Sequence, residues 1–73
     1  MRVIYDQETD ILSLILREEK IKESEEIREG VIIDYGKDGR VVSIEMLDAS
    51  ENVVAPQGIY YELKEPGMAL AYA

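Results

Sequence analysis

Hydrophobic and polar residues alternate along most of this chain, and a period of two predicts strands. Arg2 to Tyr5 is a short strand that runs into Asp6-Gln7-Glu8-Thr9-Asp10. Side chains of Asp and Thr there can bond their own backbone and close a turn. A second strand follows over Ile11 to Arg17, with Leu12, Leu14 and Leu16 on one face and Ile11, Ser13 and Ile15 on the other. The leucine face is assigned to the core. Arg17 to Glu26 has Ile21 as its only large apolar residue, so it is read as a mobile connection. Its Glu and Lys content makes a helical turn the competing reading. From Ile27 the alternation resumes, placing Ile27, Val31, Ile33 and Tyr35 on one face and Arg28, Gly30, Ile32 and Asp34 on the other.

Two runs rich in Val, Ile and Tyr flank Gly36-Lys37-Asp38-Gly39, which predicts a β-hairpin over Val31 to Leu47 with Gly39 left-handed. Treating those four residues as the loop pairs Tyr35 with Arg40, Ile33 with Val42 and Val31 with Ile44. Opposed residues share a face, so apolar stacks on apolar. A register one residue longer would oppose Ile33 with Ser43 and Val31 with Glu45, and is rejected because it sends an apolar set to the wrong side.

After Leu47, Ser50 is an N-cap candidate with Glu51 in the first turn, and Pro56 limits any helix to a short turn. Ile59 to Lys64 alternates again, with Ile59, Tyr61 and Leu63 on one side. The expected fold is therefore mainly β, an antiparallel meander of two β-hairpins (four strands) with a short helical turn and a C-terminal fifth strand. It forms a single small domain over residues 1–73. Ile4, Ile11, Ile15, Ile32 and Val41 fall on the outward side, where a wet face would carry polar residues. Together with Ile59, Tyr61, Leu63, Met68 and Leu70 they make the candidate interface, covered by the C-terminal segment, a second copy or another protein.

Composition narrows the function. A 73-residue chain without cysteine or histidine has no disulfide and no Cys/His metal site, leaving oligomerisation as its staple and a homodimer as the expected state. Sixteen acidic against eight basic residues give a net charge of −8, which repels phosphate backbones and anionic lipid and attracts basic protein partners. No apolar run approaches a membrane span and no signal-peptide layout opens the chain, so a cytoplasmic protein with no membrane and no nucleic-acid partner is expected.

Candidate chemistry is sparse. Asp6, Glu8 and Asp10 have the alternate spacing of a calcium loop, but Ile11 stands where such a loop needs glycine, and a solvated turn is the simpler reading. A metal-dependent enzyme built on these three carboxylates is the remaining catalytic alternative. Asp34 and Glu45 lie far apart in the predicted register, with Asp38 at the hairpin tip. Ser13, Ser24, Ser43, Ser50 and Thr9 have no histidine to activate them, so no enzyme, no catalytic residue and no cofactor are expected. Five tyrosines without a basic groove belong to a core or interface rather than to a base-stacking platform.

Tyr5-Asp6, Asp10-Ile11-Leu12, Glu29-Gly30-Val31-Ile32-Ile33-Asp34-Tyr35, Asp38 to Glu45 and Leu47-Asp48-Ala49-Ser50 resemble the small prokaryotic family known as domain of unknown function 2283. Residues 1–50 carry the resemblance and 51–73 form a C-terminal extension. The chain departs from the family pattern at Gly36, where an acidic residue is common, and at Ser43, where glycine is common. The resemblance implies a compact antiparallel sheet without assigned activity, cofactor or catalytic residues. Some members are similar to proteins encoded beside small toxin-like proteins, which implies an antitoxin-like or regulatory binder. The leading expectation is an acidic protein-binding module, and the alternative is a self-assembling homodimeric domain with no other partner.

Overall fold

The computed structural model describes residues 1–66. Five strands, β1 (Arg2–Asp6), β2 (Ile11–Ile15), β3 (Glu23–Arg28), β4 (Val31–Tyr35) and β5 (Val41–Met46), precede one short helix, α1 (Ala49–Asn52). They form a single antiparallel sheet in the order β1-β2-β5-β4-β3. The β1–β2 hairpin thus joins the β3–β4–β5 meander through the β2–β5 ladder. The protein is mainly β, as its alternation implies.

The fifth strand is not the expected one. Ile59 to Lys64 carries no strand, and the extra strand is β3, which begins inside the stretch read as a mobile connection and runs two residues past its end. Its six residues, Glu23-Ser24-Glu25-Glu26-Ile27-Arg28, are all exposed, so no apolar face announces it. It is a strand because it pairs with β4, and its charge suits an edge that must not recruit another chain. The turn that returns it is the two residues Glu29-Gly30, with Gly30 at φ 80°, a conformation glycine adopts without a Cβ penalty. Ile27 is the bulged residue between the Glu26↔Ile32 and Arg28↔Val31 pairs.

The β4–β5 hairpin exists, but its register is two residues away from the predicted one. Ile33 faces Ile44 and Val31 faces Met46, rather than Val42 and Ile44. The rejected one-residue register survives only at the Tyr35↔Val41 pair beside the turn; further along, Asp34 faces Ser43 and Ile32 faces Glu45. The turn does close at the expected glycines: the Gly39 amide donates to the Gly36 carbonyl at 3.0 Å, and Gly39 sits at φ 82°. One residue of the shift is already present at the turn, where Tyr35 faces Val41 rather than Arg40, and the second comes from a bulge that leaves Val42 unpaired between Tyr35↔Val41 and Asp34↔Ser43. The Val42 carbonyl accepts the amides of Leu16 (2.8 Å) and Arg17 (3.2 Å) beyond the end of β2. A neighbour that the hairpin's own sequence does not contain therefore fixes the bulge.

At the other end of the sheet, Asp6 closes the first turn as expected, accepting the Glu8 amide at 3.0 Å. The short helix starts one residue before Ser50. Its N-cap is Asp48, at φ 51° and without a side-chain cap bond, so Ser50 is not the cap; its hydroxyl turns to Asp10 instead.

Candidate binding face

Cross-strand pairs define two rows on one face of the sheet. Val3, Leu14, Ile44, Ile33 and Glu25 run across all five strands, and Tyr5, Leu12, Met46, Val31 and Arg28 run beside them. Eight of the ten are uncharged, and both charges sit on edge strand β3. This is the leucine face that the alternation assigned to the core, yet among the described residues no second layer of strands or helices covers it. Leu12, Leu14, Val31, Ile33, Ile44 and Met46 are only half-buried, and Val3 is 41% exposed. Among the described residues the buried apolar side chains are Val42, Ala49 and Pro56. A sheet needs packing against another layer for independent stability, so this face is unfinished.

The opposite face has a polar centre. Its rows are Arg2, Ile15, Ser43, Asp34, Ser24 and Ile4, Ser13, Glu45, Ile32, Glu26. Asp34, 2% exposed, accepts the Ser24 and Ser43 hydroxyls, each at 2.6 Å. Glu45 sits diagonally across the ladder from Asp34, close enough for the two carboxyls to shift one another. Burial alone would raise the Asp34 carboxyl, but the bonds from Glu45, Ser24 and Ser43 outweigh it and hold the group below the usual carboxylate range. Glu45 moves the other way, raised by its bond to Asp34, then by burial and by the neighbouring charge. The two carboxyls titrate as a pair, Asp34 held below its ordinary value and Glu45 above it. The two-residue register shift makes this pair, which the predicted pairing kept apart. The available signal was Asp34 itself, a charge in the middle of Val-Ile-Ile-Asp-Tyr. Both Asp34 oxygens are occupied and shielded from solvent, so the cluster is a structural network rather than a general acid or base that substrate could reach.

A second cluster binds the first hairpin to the helix. Asp10, left-handed at φ 57°, accepts the Tyr5 hydroxyl at 2.6 Å, the Ser50 amide at 3.0 Å and the Ser50 hydroxyl at 2.7 Å. The Ser50 and Tyr5 bonds hold the Asp10 carboxyl low, and the bond to Asp10 raises the Tyr5 phenol. Asp10 is thus committed to the fold rather than to a cation shared with Asp6 and Glu8. Among the described residues no three acidic side chains gather as a metal site.

The candidate interface residues divide. Ile4, Ile11, Ile15 and Ile32 share the face with the polar centre, interleaved with Ser13, Ser43 and Glu45. Val41 is half-buried beside the bulge. Ile59, Tyr61 and Leu63 are exposed at 54%, 78% and 60%. Met68 and Leu70 lie outside the described residues.

The class these features define is an open, single-layer antiparallel β-sheet protein with one face of uncovered aliphatic rows. The chain belongs to the family described as a protein of unknown function, DUF2283, whose model matches residues 2–50. That match spans all five strands and stops at the Ser50 contact to Asp10. No curated protein and no solved structure matches the chain. Among the described residues no helix is long and apolar enough to cross a membrane.

Proposed function

We propose that the chain is a non-catalytic, cytoplasmic protein-binding module, antitoxin-like or regulatory, that docks a protein on its aliphatic sheet face. The observation that carries this reading is the pair of rows centred on Leu12, Leu14, Ile44 and Ile33, all half-buried in a sheet with no second layer among the described residues. Exposed contiguous apolar patches mark interaction sites. The net charge of −8 supports a protein rather than a nucleic acid as occupant, and would speed encounter with a basic partner. Lack of a histidine, a cysteine or an accessible nucleophile with a base supports the non-catalytic part.

The second reading is a homodimer with no other partner, favoured by the absence of charge on the central strands of that face. One experiment tests the docking function: tagged and untagged copies are expressed together in the source cell and the tagged form is recovered at low salt. Stoichiometric recovery of one protein, whether basic partner or untagged copy, that is lost with Ile44→Lys in a chain that keeps its β-sheet circular dichroism supports it. Recovery of neither refutes it.

A further inference from the structure

We infer that the open edge of β1 is completed by the chain's own residues 68–73, Met68-Ala69-Leu70-Ala71-Tyr72-Ala73, added as a strand in the groove between β1 and the segment Pro56 to Ile59. The inference concerns the edge of the sheet rather than its aliphatic face, so it stands independently of the docking reading. The two edges are built differently. β3 carries Glu23, Glu25, Glu26 and Arg28 and a bulge at Ile27, devices that keep an edge from pairing. β1 has neither: its register against β2 is unbroken from Arg2↔Ile15 to Asp6↔Ile11, and Val3-Ile4-Tyr5, between its terminal charges, is uncharged. Val3 and Ile4 are each 41% exposed. Covering is the remaining way to blunt such an edge.

A groove of about 620 Å³ runs beside β1, with Val3, Ile4 and Tyr5 on one side and Pro56, Gln57 and Ile59 on the other. Among the described residues no backbone group outside β2 bonds to Val3, Ile4 or Tyr5, so their outward N–H and C=O groups are open to an added strand. Residues 68–73 carry no charge, so laying them against Val3 and Ile4 desolvates no ionised group. Their period of two sets Met68, Leu70 and Tyr72 on one side and three alanines on the other. Length decides for this segment over a strand from elsewhere. Ile59 already lines the groove and Met68 follows it after a tether that reaches up to about 30 Å, whereas β1 spans about 17 Å. Pro66-Gly67 in that tether are the residue types that reverse a chain in a type II turn. So short a tether gives an effective concentration in the millimolar range, far above that of a separate strand at micromolar protein.

Amide hydrogen exchange of the full chain, read residue by residue by NMR at about 20 and about 500 µM protein, tests the inference. Alternate amides of an antiparallel strand point away from its partner, so an open edge leaves either Ile4 or both Val3 and Tyr5 exchanging like an unstructured chain. The expected result is protection of Val3, Ile4 and Tyr5 alike, by about tenfold or more and equally at both concentrations. Ala69→Pro and Leu70→Pro, made separately, each remove one of two successive N–H groups, of which one belongs to the new ladder. At least one of them should return the outward β1 amides to the open-edge rate while the inward amides, bonded to β2, stay protected. Outward amides that exchange like an unstructured chain in the native protein overturn the inference, and so does protection that survives both prolines. Protection that rises with concentration gives the added strand to a second copy and overturns the chain's own segment as occupant. The aliphatic face is tested separately, by the recovery experiment.

Discussion

Replacing Glu45 with glutamine puts a donor that does not titrate beside Asp34. In the native protein Glu45 can donate to Asp34 only while protonated, whereas the amide N–H of a glutamine donates at every pH. The signs follow from the two carboxyls. Glu45 is raised above its ordinary 4.5, so the stability it contributes is fully present below that value and is lost as pH rises through its folded value. Asp34 is lowered from 3.8, so its contribution is present above that value and is lost as pH falls through its folded value. The pair thus stabilises the fold most in mildly acidic solution and least at alkaline pH.

A hydrogen bond to a charged acceptor is worth about 1.5–3 kcal/mol, and Glu45 is half-buried, so water recovers part of it when the group ionises. The loss as pH rises through the folded value of Glu45 is therefore about 1–2 kcal/mol. The assay is urea unfolding followed by tyrosine fluorescence at fixed protein concentration, since the chain has five tyrosines and no tryptophan. With a slope of about 1 kcal/mol/M for a domain this small, the native midpoint should fall by about 1–2 M as pH rises through that value, and Glu45→Gln should remove most of that fall. General charge repulsion also grows away from the sequence pI of 4.3, but it acts on both proteins. Parallel curves for the two across the pH range would refute the coupling of the two carboxyls.

Three further outcomes follow from the same geometry. Ser43→Ala leaves one Asp34 oxygen without its hydroxyl in a site 5% exposed, and should cost about 1–2 kcal/mol by urea unfolding, more than Ser24→Ala on the exposed edge strand. Gly30→Ala forces a side chain onto φ 80° in the β3–β4 turn and should cost about 1–2 kcal/mol, with Gly30→Asn less harmful because asparagine tolerates that region. Asp10→Ala removes the acceptor of Tyr5 and Ser50 together, so it should lower Tm by thermal circular dichroism more than Tyr5→Phe or Ser50→Ala does singly.

Much of the fold was legible because period-two alternation is a local property. Leu12 and Leu14, or Val31 and Ile33, declare strand and face without reference to anything distant. Register is not local in the same way. A slip of two residues keeps every side chain on its face, so Ile33 opposite Val42 and Ile33 opposite Ile44 look equally apolar. The choice was made by the Val42 carbonyl bonding Leu16 and Arg17, a contact from another hairpin. Strand β3 was hidden for a related reason: an exposed edge strand has no apolar face to show, and only Gly30 at a two-residue distance from paired strands hinted at the turn. Ile59 to Leu63 misled in the opposite direction, since its alternation finds no ladder within the described residues.

The register also decides which face can dock. With the predicted pairing, Asp34 and Glu45 would be distant, and the isoleucines Ile4, Ile11, Ile15 and Ile32 would read as the apolar surplus in need of cover. With the observed pairing that face holds a satisfied but charged network at its centre, and covering it would strip Glu45 of the water it needs when ionised. The leucine face has no such centre. Burying Leu14 and Ile44 against another apolar layer gains on the order of 25 cal/mol for each Å² removed from water, with no polar group to desolvate. On the proposed docking reading, a partner therefore meets the side that the alternation assigned to the core, where burial costs no desolvated charge.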